Sequence, residues 1–312
     1  YSVSDVVDVR QNIHLAELEG IIEPHGLLDI QRTLAALSEL RRYLKQFSDE
    51  APHLWEIAEG IIELPEIEKN IAACIDPSGE VVDSASPTLA SIRRELRESR
   101  TRILERLEHI VRSPHNQRIL QEDIITEREG RYVILVKSEN RHDIKGIVHD
   151  ISNTGATVFL EPASTVGFGN AIRELVIEER REVERILRLL SAEVAACAAE
   201  IETGLRRAAE LDFIMAKARF GQQSRGSVPV VIPPETDFTR RSSFLKLVDA
   251  RHPLLGNKAV PFSVELGKEY DILVITGPNT GGKTVTLKTI GLLCLMAQSG
   301  LPIPASPESR LP

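Results

Sequence analysis

Apolar residues recur at steps of three and four from about residue 170 to about residue 219, and this run constrains the fold more than any other feature. An unbroken helix of roughly fifty residues would be a rod of about 75 Å, which is longer than a compact domain is wide. Such a length is typical of a coiled-coil arm. The alternative is two ordinary helices with a break near Gly204.

A second helix with a matching apolar seam precedes this run and is its natural partner. Ser86 has the side chain of a helix N-cap, Pro87 suits the first helical position, and Pro114 ends the pattern. Between them, apolar residues from Leu89 to Ile110 keep the helical spacing. We therefore expect two long helices that pack along each other as an outgoing and a returning arm.

Between these helices the spacing of the apolar residues changes to that of strands. The stretches 131–136, 146–151 and 156–160 are rich in β-branched and aromatic residues, and turn residues separate them. They predict a small sheet of three or four strands at the tip of the arm. In the alternative, the two helices flank an unrelated β domain.

Helical patterns precede the arm, and an α/β pattern follows it. The spacing predicts helices over 27–47, through Leu54 to Ile61 and through Ile67 to Cys74, and it predicts a linker over 221–240. We expect a mixed, mainly α fold with a helical core, long coiled-coil lever arms, a small β clamp and the start of an α/β domain. The expected domains are 1–127 (helical core and outgoing lever helix), 128–168 (β clamp), 169–228 (returning lever helix and core) and 229–312 (start of the α/β domain).

Composition excludes several classes of protein. The formal net charge of −8 excludes a chain that is basic throughout, so any nucleic-acid contact must come from a local patch. Cys74, Cys197 and Cys294 are far apart in apolar helical stretches, which indicates buried thiols in a reducing cytosol rather than disulfides or a zinc site. No run of about 18 apolar residues occurs, so no membrane helix is expected.

The segment 277–284 matches the pattern G-x-x-x-x-G-K-[ST] of a phosphate-binding P-loop. Residues 272–275 before it have the composition of a buried parallel strand, and residues 284–297 after it have helical spacing. This context makes 229–312 the N-terminal part of a P-loop ATPase domain that lacks its remaining strands. The candidate nucleotide-binding residues are Gly277, Pro278, Asn279, Thr280, Gly281, Gly282, Lys283 and Thr284.

These residue types suit ATP and Mg²⁺ for physical reasons. Glycines let the loop curl so that backbone amides point at phosphate oxygens, and the helix N-terminus adds favourable dipole charge. The Lys283 ammonium suits the β- and γ-phosphates, and the Thr284 hydroxyl suits Mg²⁺. Hydrolysis also needs an acidic residue at the end of another strand, and no such strand follows Thr284. We therefore expect this chain alone to have no ATPase activity.

Several motifs together resemble one family. They are Ala250-Arg251-His252-Pro253-Leu254-Leu255 before the loop, Gly300 to Ala305 after it, Lys145 to Asp150, and Gly155 to Pro162. This combination resembles the MutS family, and the Thr-rich loop is similar to the second bacterial class, MutS-two. The resemblance covers most of the chain from about residue 27.

The resemblance implies a homodimer in which lever arms and a clamp encircle nucleic acid. In that class the expected partners are branched or double-stranded DNA, with roles in DNA repair and in suppressing homologous recombination, and also collided ribosomes. Members usually add a C-terminal Smr nuclease domain. Asn279 would help to place the attacking water beside Lys283 and Thr284, and Val260 and Pro261 lie where the family packs adenine. A bacterial cytosolic or nucleoid location is expected.

Other functions remain open on the residues alone. One is a structural ATPase with a coiled-coil arm, of the chromosome-organising type, although those relatives usually split the ATPase head around the arm. The other is a nucleotide-binding interaction module without turnover. Arg251 and His252 either serve the nucleotide site or brace the strand before the loop, and bracing is favoured.

Two less specific sequence patterns lie in the predicted small sheet. Lys137, Arg141, His142 and Lys145 belong to one strand-loop-strand unit, where they either contact phosphates or form a solvated loop. Phe159 and Glu161 match the Phe-x-Glu pattern with which mismatch-reading relatives wedge DNA, but we expect Phe159 in the core. The charged run 178–182 is expected to be an exposed helix face, and the histidines have no metal-binding spacing.

Overall fold

The computed structural model describes residues 5–232, 244–277 and 282–312, and these residues form two compact units. Within the described residues, the first unit contains residues 5–50 and 59–205, and the second contains residues 51–58 and the described part of 206–312. The predicted mixed class of helices with small sheets is confirmed. In chain order the helices are α1 (Arg10–Glu17), α2 (Pro24–Lys45), α3 (Pro52–Glu59), α4 (Pro65–Cys74), α5 (Pro87–Val111), α6 (Val166–Ala196), α7 (Ala198–Ser224) and α8 (Lys283–Gln298).

The core of the first unit is aliphatic, as the low aromatic content requires. Helix α2 carries the predicted apolar face, and Leu27, Ile30 and Leu34 on it are fully buried. They pack with the apolar sides of α1, α4, α5, α6 and the start of α7. Proline at the first helical position begins α2, α4 and α5, where its missing N–H removes no helical hydrogen bond.

Helix α5 begins at the predicted cap and packs against α6. The Ser86 hydroxyl accepts the Leu89 N–H at 3.0 Å and donates to Glu182 of α6 at 2.6 Å. Arg93 of α5 bonds Glu179 of α6 at 2.7 Å. The prediction that 178–182 is an exposed helix face was therefore wrong for Glu179 and Glu182, which turn toward α5, and Glu178, Arg180 and Arg181 are exposed. Arg185 and Ser86 hold the pKa of Glu182 at about 2 by hydrogen bonding to its carboxylate.

The long apolar run is two helices and not one rod. Helix α6 ends at Ala196, Cys197 has non-helical dihedral angles (φ −115°, ψ 21°), and α7 begins at Ala198. The break thus lies ahead of Gly204, with neither glycine nor proline to mark it. It lets Leu190 of α6 and Ile201 of α7 enter the same core. An unbroken helix was the wrong prediction because tertiary packing, rather than local propensity, ends α6.

The first unit also contains a four-stranded antiparallel sheet in the order β1-β2-β4-β3, here called the N-terminal sheet. One face packs on α5 and α6 through Ile134, Leu160 and Ile172 among others. Strands β2 and β3 run parallel with β4 between them, so residues 138–145 cross from one end of β4 to the other. The strands are β1 (Leu120–Arg128), β2 (Arg131–Lys137), β3 (Gly146–Ile151) and β4 (Thr157–Pro162).

The second unit contains a four-stranded mixed sheet in the order β5-β8-β6-β7, here called the C-terminal sheet. Its inner face packs on α8, where Leu247 and Leu311 meet Leu293 and Met296. Helix α7 continues to Ser224, so the predicted linker begins later than residue 221; residues 233–243 lie outside the described part. The strands are β5 (Val230–Val231), β6 (Leu245–Ala250), β7 (Phe262–Leu266) and β8 (Arg310–Leu311).

Within the described residues, no helix is both long and apolar enough to cross a membrane. The three cysteines are free and partly buried, as expected. Burial is the main cause that raises the pKa of each thiol, which disfavours the reactive thiolate.

Candidate nucleotide-binding loop and nucleic-acid interface

The two ends of the candidate phosphate loop have backbone conformations that only glycine adopts readily. Gly277 has φ +140°, and Gly282 has φ +78° as the N-cap of α8. The first helical hydrogen bond runs from the Thr286 N–H to the Gly282 carbonyl. The amide groups before Thr286 therefore need other acceptors, which gives this helix end the character of an anion site.

Lys283 is the first residue of α8, and its ammonium group turns back to Gly277. It donates a hydrogen bond to the Gly277 carbonyl at 2.5 Å, so the two ends of the loop are joined. Thr284 follows it at the exposed start of the helix. A cation beside a free helix N-terminus fits the phosphates of ATP, and the neighbouring hydroxyl fits Mg²⁺. Pro278, Asn279, Thr280 and Gly281 lie outside the described residues.

The helix after the loop forms as predicted, whereas the strand before it does not. Residues 272–276 belong to no strand, and the side chains of Ile272 and Val274 are 80% and 75% exposed. The prediction of a buried strand at 272–275 was therefore wrong for this chain. A buried parallel strand needs a neighbour on each side, and the C-terminal sheet as described ends at β7 without reaching this segment.

The residues around Arg251 make the contacts of a brace. The Arg251 N–H donates to the Pro304 carbonyl at 2.9 Å, and the His252 Nδ1 accepts the Leu254 N–H at 3.3 Å. The first bond holds the turn after β6 against the segment that leads to β8, and the second stays within the turn. Val260 is 81% exposed just before β7.

The four candidate nucleic-acid-binding residues are not clustered at one position on the N-terminal sheet. Lys137 pairs with Thr157 at the start of β4, whereas the Lys145 carbonyl accepts the Ala163 N–H just beyond its end. Six residue steps separate Thr157 from Ala163, which is about 20 Å of extended chain. Arg141 and His142 occupy the crossover between them, with the Arg141 Nε donating to the His142 Nε2 at 3.0 Å. The four side chains form a track along the sheet.

The structure adds one cation to this track that the sequence patterns did not indicate. The Lys137 ammonium donates to the Arg118 carbonyl at 3.0 Å, which brings exposed Arg118 to the same end of the sheet. Arg118 precedes β1, and only the pairing of β1 with β2 places it beside Lys137.

Phe159 and Glu161 are interior residues of the N-terminal sheet. Phe159 is 8% exposed in a cluster with Val133 and Leu135, as expected for a core residue, and the Arg128 guanidinium lies 4.5 Å from its ring centroid. The pair is therefore not available as a DNA wedge.

Glu161 is the centre of a buried ionic cluster. Its side chain is 1% exposed and accepts from the His149 Nε2 at 2.7 Å and from Arg131 at 3.3 Å. Arg131 also bonds Asn170 at the start of α6 at 2.7 Å, so the cluster joins three strands to that helix. No group of three or more His, Cys, Asp or Glu side chains suited to a metal ion occurs in the described part of the chain.

Comparison with known proteins identifies the family. No protein-family model matches the chain. Proteins named Endonuclease MutS2 match nearly all of it. The one from Pelotomaculum thermopropionicum is 47% identical over 304 residues, which is 97% of this chain and 38% of that protein. The one from a Geobacillus species is 45% identical over 310 residues, which is 98% of this chain and 38% of that protein. The one from Halalkalibacterium halodurans is 42% identical over 311 residues, which is 98% of this chain and 39% of that protein.

The chain belongs to the MutS proteins. Within them it is of the MutS2 type and corresponds to part of its relatives, because it spans between 38% and 39% of their length. The resemblance found in the motifs is thereby confirmed.

Proposed function

We propose that the protein is an ATP-binding, nucleic-acid-binding clamp ATPase of the MutS type. The observation that carries the proposal is the hydrogen bond from the Lys283 ammonium to the Gly277 carbonyl, beside the left-handed Gly282 that caps α8. When bound, ATP with Mg²⁺ supplies the phosphoryl group whose hydrolysis would drive a conformational cycle. Lys283 would hold the phosphates, Thr284 would ligate Mg²⁺, and Asn279 would help to position water.

The nucleic-acid partner proposed for the whole protein is branched or recombining DNA, bound by a homodimer in DNA repair and in suppression of homologous recombination. Action on collided ribosomes is a further proposed role of the same clamp. The track from Lys137 to Lys145 supports contact with successive phosphates, because its charges follow the length of a strand. Its relatives are named endonucleases, and none of the residues described above is assigned a nuclease role.

ATP binding is tested by titrating the purified chain with a fluorescent ATP analogue and Mg²⁺, and by comparing Lys283→Ala with Lys288→Ala. Lys288 is an exposed cation further along the same helix, so the two variants lose the same charge. Loss of a charged hydrogen bond costs about 1.5–3 kcal/mol, or roughly 10- to 150-fold in affinity, and only Lys283→Ala should show it. Equal affinity of Lys283→Ala and wild type would refute the proposed site.

Turnover and nucleic-acid binding have separate tests. We expect the isolated chain to bind ATP without steady hydrolysis, and phosphate release above background by the pure chain would contradict this. Reversal of Lys137, Arg141 and Lys145 to Glu should lower the salt dependence of duplex DNA binding, because fewer phosphates are neutralised. An unchanged salt slope would remove the track from the proposal.

A further inference from the structure

The outer face of the C-terminal sheet is charged, in contrast to the apolar face that packs on α8. Side chains alternate along a strand, so Leu245 and Leu247 point to the core while Phe244 and Lys246 point outward. Register pairs continue this outer row across all four strands. The row consists of Val230 opposite Arg310, Arg310 opposite Lys246, and Lys246 opposite Glu265.

Two cations in this row are direct neighbours. Lys246 and Arg310 pair across adjacent strands, whose backbones lie about 4.8 Å apart. Within the described residues neither has an ion pair, because the nearby Glu265 carboxylate contacts Lys268 at 3.7 Å instead. Like charges directly opposite each other destabilise a sheet, and an anion bound between them removes that cost.

The row forms the floor of an open groove of about 780 Å³. Lys246, Arg310 and Lys268 supply three positive charges, and Glu265 and Glu308 supply two negative charges, so the groove carries a net positive charge. Four strands make it about 14 Å wide, and it lies open along one side of a sheet. This shape suits an extended polyanion better than a small molecule, which would be enclosed on most sides.

Phe244 favours nucleic acid over an acidic peptide as the polyanion that fits the groove. Its side chain borders the groove directly before β6, two residues from Lys246. Sheet faces that combine cations with an aromatic ring bind single-stranded nucleic acid, because the cations follow the backbone and bases stack on the ring. An acidic peptide has no comparable use for the ring.

We propose that this groove binds the backbone of a single nucleic-acid strand, with Lys246 and Arg310 on its phosphates and Phe244 beneath a base. The inference extends the proposed nucleic-acid function to a second surface, which lies in a different unit from the track on the N-terminal sheet. It concerns an unpaired strand, which branched or displaced nucleic acid exposes.

The test measures binding of a fluorescent twenty-nucleotide oligothymidylate and a matched oligouridylate to the full chain by anisotropy. The variant Lys246→Gln/Arg310→Gln is compared with Lys45→Gln/Lys258→Gln, which removes two exposed charges elsewhere. Two lost phosphate contacts should lower the salt slope by about 1.4, so the wild type loses roughly 7-fold more affinity than the variant between about 50 and 200 mM salt. The control should keep the wild-type slope.

Phe244→Ala separates stacking from charge. We expect it to weaken binding roughly 5- to 150-fold without changing the salt slope. An unchanged affinity and slope in the groove variants would overturn the inference. Equal competition by polyglutamate, or displacement by millimolar inorganic phosphate, would also overturn it, because the site would then accept any anion.

The clamp variant Lys137→Glu/Arg141→Glu/Lys145→Glu is measured in the same assay. If it alone weakens binding, the groove inference fails and the proposed function stands. If the groove variants alone weaken single-strand binding, the groove inference stands, and the track is judged by duplex binding alone. ATP binding at Lys283 is unaffected by either result.

Discussion

Replacing Glu161 with glutamine is expected to destabilise the N-terminal sheet more than any other change of one charge in it. The carboxylate is 1% exposed and holds both His149 and Arg131. Glutamine keeps the shape and removes the charge, so Arg131 stays largely buried with Asn170 as its remaining acceptor. Removing one partner of a buried ion pair costs about 3–5 kcal/mol. We expect about 3 kcal/mol here, because Asn170 still accepts from Arg131.

The measurement is urea denaturation followed by circular dichroism, with hydrogen exchange of β4 peptides to locate the loss of stability. A cost of about 3 kcal/mol corresponds to a fall in melting temperature of about 6–12 °C for a unit of this size. Glu127→Gln is the matched control, because Glu127 is an exposed residue of strand β1 in the same sheet. If Glu161→Gln and Glu127→Gln differ by less than about 0.5 kcal/mol, the cluster does not stabilise the sheet.

Three further changes test other parts of the structure. Ser86→Ala should lower the free energy of unfolding by about 1–2 kcal/mol, because α5 loses its cap. Urea denaturation measures this loss, and an equal loss in Ser99→Ala on the same helix would contradict the prediction. The pKa of Glu182 is lowered from 4.5 to about 2, so its contribution to stability is complete above pH 4.5 and is lost as the pH falls toward 2. Unfolding free energies measured across this pH range should show the loss in wild type and not in Glu182→Gln. Gly282→Ala should weaken ATP binding, because alanine at φ +78° costs about 1–2 kcal/mol, and unchanged affinity would mean that the loop does not need this conformation.

The elements that could be predicted are those whose signals are local. The cap at Ser86, proline at the first turn and a regular apolar seam predicted α5 correctly, and the same spacing predicted α8. Strand β1 was the least evident, because burial does not alternate along its nine residues. Strand pairing itself was not predictable, so neither the crossover of 138–145 nor the position of Arg118 followed from the sequence.

The wrong predictions share a physical cause, which is that tertiary contacts decided the outcome. The break at Cys197 follows from packing of α6 and α7 into one core, and no residue type marks it. The run 178–182 has the composition of a solvated face, yet Glu179 and Glu182 meet α5 across the helix pair. Residues 272–275 have strand composition, but a strand forms only where a neighbouring strand supplies its hydrogen bonds.

The stretch from Ile272 to Ile275 has a practical consequence for anyone who purifies this chain. It is a short run of four apolar residues with high β propensity, without charge or proline, and its side chains face solvent. An exposed apolar stretch of this kind favours association between molecules. Turbidity should therefore rise with protein concentration on storage, and a lysine at Val274 should suppress it.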